Sequence, residues 1–215
     1  MTFPNAYEGV KKIYKSQIFV LIGAALLLLA TVLSAIILVS KSLVTAGIMG
    51  VGALLFVIGG AVLAVIGLIF YIIGIVKAKA DEASFTKAMI CVLVSLAISI
   101  VVAFLSKQPV IKNVLQIIQN IVNLGATVFI ILGIRTLAQK LNREDIDDYG
   151  KLTMRLLIII YAASTVASIL AAVFAGNQSV QTVSNVVAII AALFQIAAYV
   201  IYLVFLNKSV KMLEA

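Results

Sequence analysis

The chain has 215 residues, 64% of them hydrophobic and 11% charged, with a formal net charge of +8 and a mean hydropathy of +1.25. Soluble domains carry about 45–50% apolar and about 25% charged residues, so a single water-soluble core cannot hide this much apolar surface, and lipid is the expected solvent. The sequence holds no histidine, which removes the commonest general base, pH switch and metal ligand together.

A helix needs about 20 predominantly apolar residues to cross about 30 Å of hydrocarbon. Six stretches qualify, at 17–39, 47–76, 88–106, 114–134, 156–175 and 183–206. None alternates like a barrel strand, and backbone in lipid must satisfy its own hydrogen bonds. The sequence therefore predicts an all-α polytopic membrane protein: one domain over 1–215 with six transmembrane helices. The first span is too long for a cleaved signal segment and reads as a retained anchor. Thirteen of the sixteen Lys and Arg, and all eight acidic residues, fall at one end of these spans; Lys41, Lys107 and Lys112 fall at the other. The positive-inside rule then places both termini in the cytoplasm of a multi-pass cell-membrane protein. Because the basic residues flank apolar runs, a nucleic-acid interface is not expected. Asn177-Gln178-Ser179 matches a glycosylation triplet, but in a very short loop against the membrane it is not expected to be used.

The spans suggest a repeat. Phe70, Phe129 and Phe194 are each followed four positions later by a small residue, Gly74, Gly133 or Ala198. Each pair of spans opens with an aromatic beside a lysine: Tyr14-Lys15, Phe85-Thr86-Lys87 and Tyr149-Gly150-Lys151. Three tandem two-helix hairpins follow, the first carrying an insertion around Ser40–Met49. The second span has a seven-residue stripe of Ala46, Ala53, Gly60, Gly67 and Gly74. Small residues in register let helices approach closely, so Gly60, Gly67 and Gly74 are the expected packing residues. The fifth span carries a similar row, Ser164, Ser168, Ala171 and Ala175.

The fourth span carries a different seam. Asn113, Gln116, Asn120, Asn123 and Thr127 step by three and four along one helix face. Gln178, Gln181 and Asn185 repeat part of it, and Gln195, Tyr199 and Tyr202 extend that second row. Asn120 and Asn123 lie about 9–13 Å inside the span by the helical rise. An amide in hydrocarbon without a partner costs several kcal/mol, so these faces are expected to turn inward, to each other or to water. They can zip the bundle together, or they can line a cavity for a neutral polar solute through Asn120, Asn123, Asn185 and Gln195.

Chemistry finds little to work with. No charged residue lies mid-span, which argues against proton relays and ion pathways. One cysteine, Cys91, excludes an intramolecular disulfide, and beside Ser95 and Ser99 it has nothing to activate its thiol. No catalytic residue, cofactor or metal site is expected. The hydrophilic link Gln139–Lys151 reads as a solvated loop, with Asp147 or Asp148 capping the fifth helix.

In length, span number and basic charge the chain resembles the membrane substrate-binding subunits of energy-coupling-factor vitamin transporters. It departs from them in the first span, where the expected Ala-x-x-x-Ala is approached only by Ala30 and Ser34. The three-hairpin plan resembles mitochondrial carriers, but their Pro-x-Asp/Glu-x-x-Lys/Arg signatures are absent, and neither family is claimed. The leading expectation is a non-enzymatic subunit or accessory factor acting by helix association, with the lipid bilayer and a membrane protein or a second copy as partners. A small-solute binding or transport subunit is the alternative.

Overall fold

The computed structural model describes residues 2–40, 43–105, 109–173 and 178–214. Side chains are described except at 37–40, 43–49, 109–110, 113, 167–168, 170–173 and 178–193. Among the described residues the chain is all-helical: α1 (Pro4–Ser40), α2 (Leu43–Ala78), α3 (Ser84–Phe104), α4 (Pro109–Lys140), α5 (Glu144–Val173) and α6 (Gln178–Glu214). Five of them contain described segments long and apolar enough to cross a membrane. The remaining one, α5, carries the stretch 156–175, whose far part lies outside the described side chains.

The helices run well past the apolar stretches. The basic N-terminal arm is helical from Pro4, where the missing N–H of proline costs nothing. The start of α1 is capped from a distance: Asp81 accepts from the Ala6 N–H at 2.7 Å and from Asn5 Nδ2 at 3.1 Å. The other sharp corner, between α4 and α5, is a Schellman turn. Asn142 takes the left-handed conformation (φ 54°), the Arg143 N–H reaches the Ala138 carbonyl at 2.9 Å, and the Asn142 N–H reaches Gln139 at 3.1 Å.

The chain forms two compact units, Lys11–Gly74 and Met1–Val10 with Ile75–Ala215. In the first, α1 and α2 meet along small residues. Ala53, Gly60, Gly67 and Gly74 are buried on α2, and Ser16, Gly23 and Ala30 are buried on α1. Both rows repeat every seven residues, the period of a left-handed crossing. A Cβ at Gly60 would stand 3.0 Å from the Gly23 carbonyl and 2.9 Å from Leu27 Cγ. A Cβ at Gly67 would stand 3.1 Å from Val20 and 3.3 Å from the Ser16 carbonyl. Phe19 meets Phe70 edge-on at 5.6 Å, and Lys12 Nζ lies 5.3 Å from the Phe70 ring centre.

In the second unit α3 packs on α4, α4 on α5, and α5 on α6. Its core sits at the charged end. The last buried position is Ser95 on α3, Ala126 on α4 and Leu157 on α5 among the described residues; on α6 the described buried positions start at Ala198. Phe85, Ile130, Ile131, Ile134, Phe205 and Leu206 fill this base. Two glycines admit its largest rings. A Cβ at Gly133 would stand 2.8 Å from Phe85, and one at Gly150 would stand 3.1 Å from Phe205. Tyr149 stacks on Phe205 at 6.4 Å. By the helical rise the buried layer is about 15–22 Å deep.

Candidate functional site

The amide seam of α4 begins where this core ends. From Ile111 to Gly125 no described residue of α4 is buried, and from Ala126 onward burial recurs at Ile130, Ile131, Ile134 and Ala138. At 100° per residue, Gln116, Asn120, Asn123, Ile130, Ile134 and Ala138 share one face. The same side of the helix is thus core at the charged end and amide beyond it. Gln116, Asn120 and Asn123 are exposed. They therefore occupy the core-facing side without being covered there. Thr127 ends the row, its hydroxyl donating back to the Asn123 carbonyl at 3.1 Å. The Asn113 side chain lies outside the described residues.

The other half of the proposed cavity is only partly in view. Asn185, Gln178 and Gln181 lie outside the described side chains. Gln195 is exposed, and its Nε2 donates to Ser164 Oγ on α5 at 3.0 Å. Among the described residues no hydrogen bond joins Gln195 to the α4 amides. Tyr199 is half-buried and Tyr202 buried, one and two turns closer to the charged end. On α4 an amide outside the row makes a contact with another helix: Gln119 Nε2 donates to Ser99 Oγ on α3 at 2.6 Å, and Ser99 donates to the Ser95 carbonyl at 2.9 Å. Sequence stepping missed it because Gln119 sits off the Asn120–Asn123 stripe.

The packing residues are placed differently. Gly60 and Gly67 stand against α1 of the same chain, and Gly74 is buried at the end of that seam.

At the charged end the link between α4 and α5 is neither loop nor cap. The helix α5 starts at Glu144, three residues before Asp147, so Asp147 is inside the first turn and does not cap it. Its carboxylate, 10% exposed, accepts from Arg135 Nε at 2.7 Å and from Lys151 Nζ at 2.9 Å, while Lys151 also reaches Asp148 at 2.8 Å. Burial pushes the Asp147 carboxyl up, but hydrogen bonds from Lys151, Arg135 and Gln139 outweigh it and hold it at about 2. Gly150 makes room for the stem of Arg135, since a Cβ there would stand 2.6 Å from Arg135 Cγ. A neighbouring pair repeats the design: burial raises the Glu82 carboxyl, yet the hydrogen bond and charge of Lys140, at 2.8 Å, bring it below the usual range. Beside the Asp147 cluster Gln139, Asn142, Arg143, Glu144 and Asp148 line a cleft of about 370 Å³. Arg143 and Asp145 form a two-bonded pair at 2.9 Å next to it. The charges of this corner are largely spent on one another, which suits a brace between helices better than a site of proton transfer.

No known protein family, curated protein or solved structure matches the chain.

Proposed function

We propose that this is a non-enzymatic subunit that binds or moves a small neutral polar solute through the amide-lined face of α4. One observation carries the reading: the exposed Asn120 and Asn123 continue the face of α4 that is core from Ile130 to Ala138. In this reading the amides at that place meet water or a solute beyond the packed base. They donate and accept hydrogen bonds without a charge to desolvate, which fits an uncharged polar ligand. Asn185 and Gln195 of α6 complete the proposed wall. In this proposal the protein is a multi-pass cell-membrane protein with six spans and cytoplasmic termini. The basic end supports that orientation. Three tandem hairpins remain part of the proposal, supported by a lysine over the repeated phenylalanine in two of them, Lys12 at Phe70 and Lys87 at Phe129. Phe194 of the third is exposed.

An accessory role through the glycine face has less support, because α1 already fills that face at Gly60 and Gly67. The test is thermal stability of the purified full chain in nanodiscs against a panel of urea, short amides, polyols and monosaccharides. A member of the panel is expected to raise the melting temperature, and the Asn120→Leu/Asn123→Leu variant is expected to lose that response while staying folded. A response that survives the double substitution, or none across the panel, would count against the reading.

A further inference from the structure

We propose that the charged end of α3, α5 and α6 binds the headgroups of anionic phospholipids, with Lys87, Arg155 and Lys208 as the cationic contacts. The first ground is how the acidic residues are used. Glu8 pairs with Lys77, Glu82 with Lys140, Asp145 with Arg143, Asp147 with Arg135 and Lys151, and Asp148 with Lys151. Asp81 caps α1, and Glu214 accepts from Tyr7 Oη at 3.0 Å. Seven of the eight acidic residues are thus committed inside the chain, and Lys87, Arg155 and Lys208 take part in none of these pairs. Their charge is not cancelled by these pairs and can attract an anion from outside.

The second ground is position. All three residues are exposed. Lys87 Nζ lies 5.9 Å from the Phe129 ring centre, and Lys208 Nζ lies 4.3 Å from that of Tyr149. A ring face holds an ammonium in place without cancelling its charge as a carboxylate does. Each cation also heads an exposed apolar stripe on its own helix. Below Lys87 run Ile90, Val94 and Val101; below Arg155, Ile159 and Val166; below Lys208, Val204 and Val200. Steps of three, four and seven keep each stripe on the face of its cation. The longest, Lys87 to Val101, covers about 21 Å, more than the roughly 15 Å of one leaflet's hydrocarbon. A cation above an apolar strip of this length matches a phospholipid: phosphate at the head, acyl chain along the helix. Snorkelling of the same side chains into water would use the position but would not discriminate between lipid headgroups.

The experiment is native mass spectrometry of the full chain released from nanodiscs of equimolar phosphatidylglycerol and phosphatidylcholine. Phosphatidylglycerol is expected to be retained in preference. Each cation near a charged membrane surface is worth about five-fold in affinity, so Lys87→Gln and Lys208→Gln should each weaken retention roughly that much. The Lys87→Gln/Arg155→Gln/Lys208→Gln variant should lose the preference, and Lys87→Arg/Lys208→Arg should keep it. If the triple variant does not fold, the two single glutamine variants carry the test. Equal retention of the two lipids, or a preference unchanged by the glutamine substitutions, would overturn the proposal. So would displacement of the retained lipid by millimolar glycerol phosphate, which would make the site one for free phosphate and not for lipid.

Discussion

Between Lys11 and Gly74 two helices meet along a seam that runs about 31 Å on α2, from Ala53 to Gly74. In α3–α5 described burial stops after about 15–18 Å, at Ser95, Ala126 and Leu157. The hairpin helices are the more apolar, but apolar character alone does not bring two backbones together. The residue at the seam does. In the hairpin every seventh residue is Gly, Ala or Ser, and backbones come within van der Waals contact, as the Gly23 carbonyl beside Gly60 shows. In α4 the seam changes from Ile130 and Ala138 to Asn123, Asn120 and Gln116. Amides need partners that apolar side chains do not supply, and that face of the helix remains exposed there, although α3 packs on another face through Gln119 and Ser99. Close packing in this protein is set by the size and polarity of one residue per turn or two.

The comparison can be broken most severely at the base. Asp147→Ala leaves Arg135, 15% exposed, without its carboxylate, and is expected to cost about 3–5 kcal/mol, read as loss of folded protein in detergent denaturation. Gly60→Leu drives a side chain into the Gly23 backbone and Leu27. It should destabilise the hairpin by about 1–3 kcal/mol or more, visible as a lowered melting temperature. Acid sharpens the same contrast. Asp147 is held at about 2 against an ordinary 3.8, so its contribution is fully present above pH about 4 and is lost as pH falls through about 2. That shift corresponds to roughly 2 kcal/mol, and Asp147→Asn should flatten this part of the stability profile. The smallest effect belongs to the open end: Asn120→Leu and Asn123→Leu should each change stability by no more than about 0.5 kcal/mol, because no described contact depends on them.

Much of this is legible in the sequence. The six helices follow from apolar runs that nothing but helix can carry through lipid. The α2 stripe is conspicuous because glycine at intervals of seven is rare in a leucine-rich segment. Its counterpart, Ser16, Gly23 and Ala30, is hidden among Leu and Ala neighbours and emerges only once α2 is laid against it. The α4–α5 link misleads for another reason. Six consecutive residues, Arg143 to Asp148, hold four acids and one arginine and look solvated. Yet the Asn142 turn starts α5 early, and the arginine that buries Asp147 comes from Arg135, outside the hydrophilic segment altogether. The amides of α4 are correctly found on a single face by stepping alone. Whether that face is covered depends on neighbouring helices, and no periodicity within α4 contains that information.

The central claim is that one face of α4 changes from open to sealed between Asn123 and Ile130. Single cysteines at Asn120, Asn123, Thr127, Ile130 and Ile134 in a Cys91→Ser background, probed with a membrane-impermeant thiol reagent from the side opposite the basic end, test it directly. Rapid modification at Asn120 and Asn123 with none at Ile130 and Ile134 is the predicted profile. Protection at Asn120 and Asn123 in a folded protein, or equal labelling along the whole row, would contradict it.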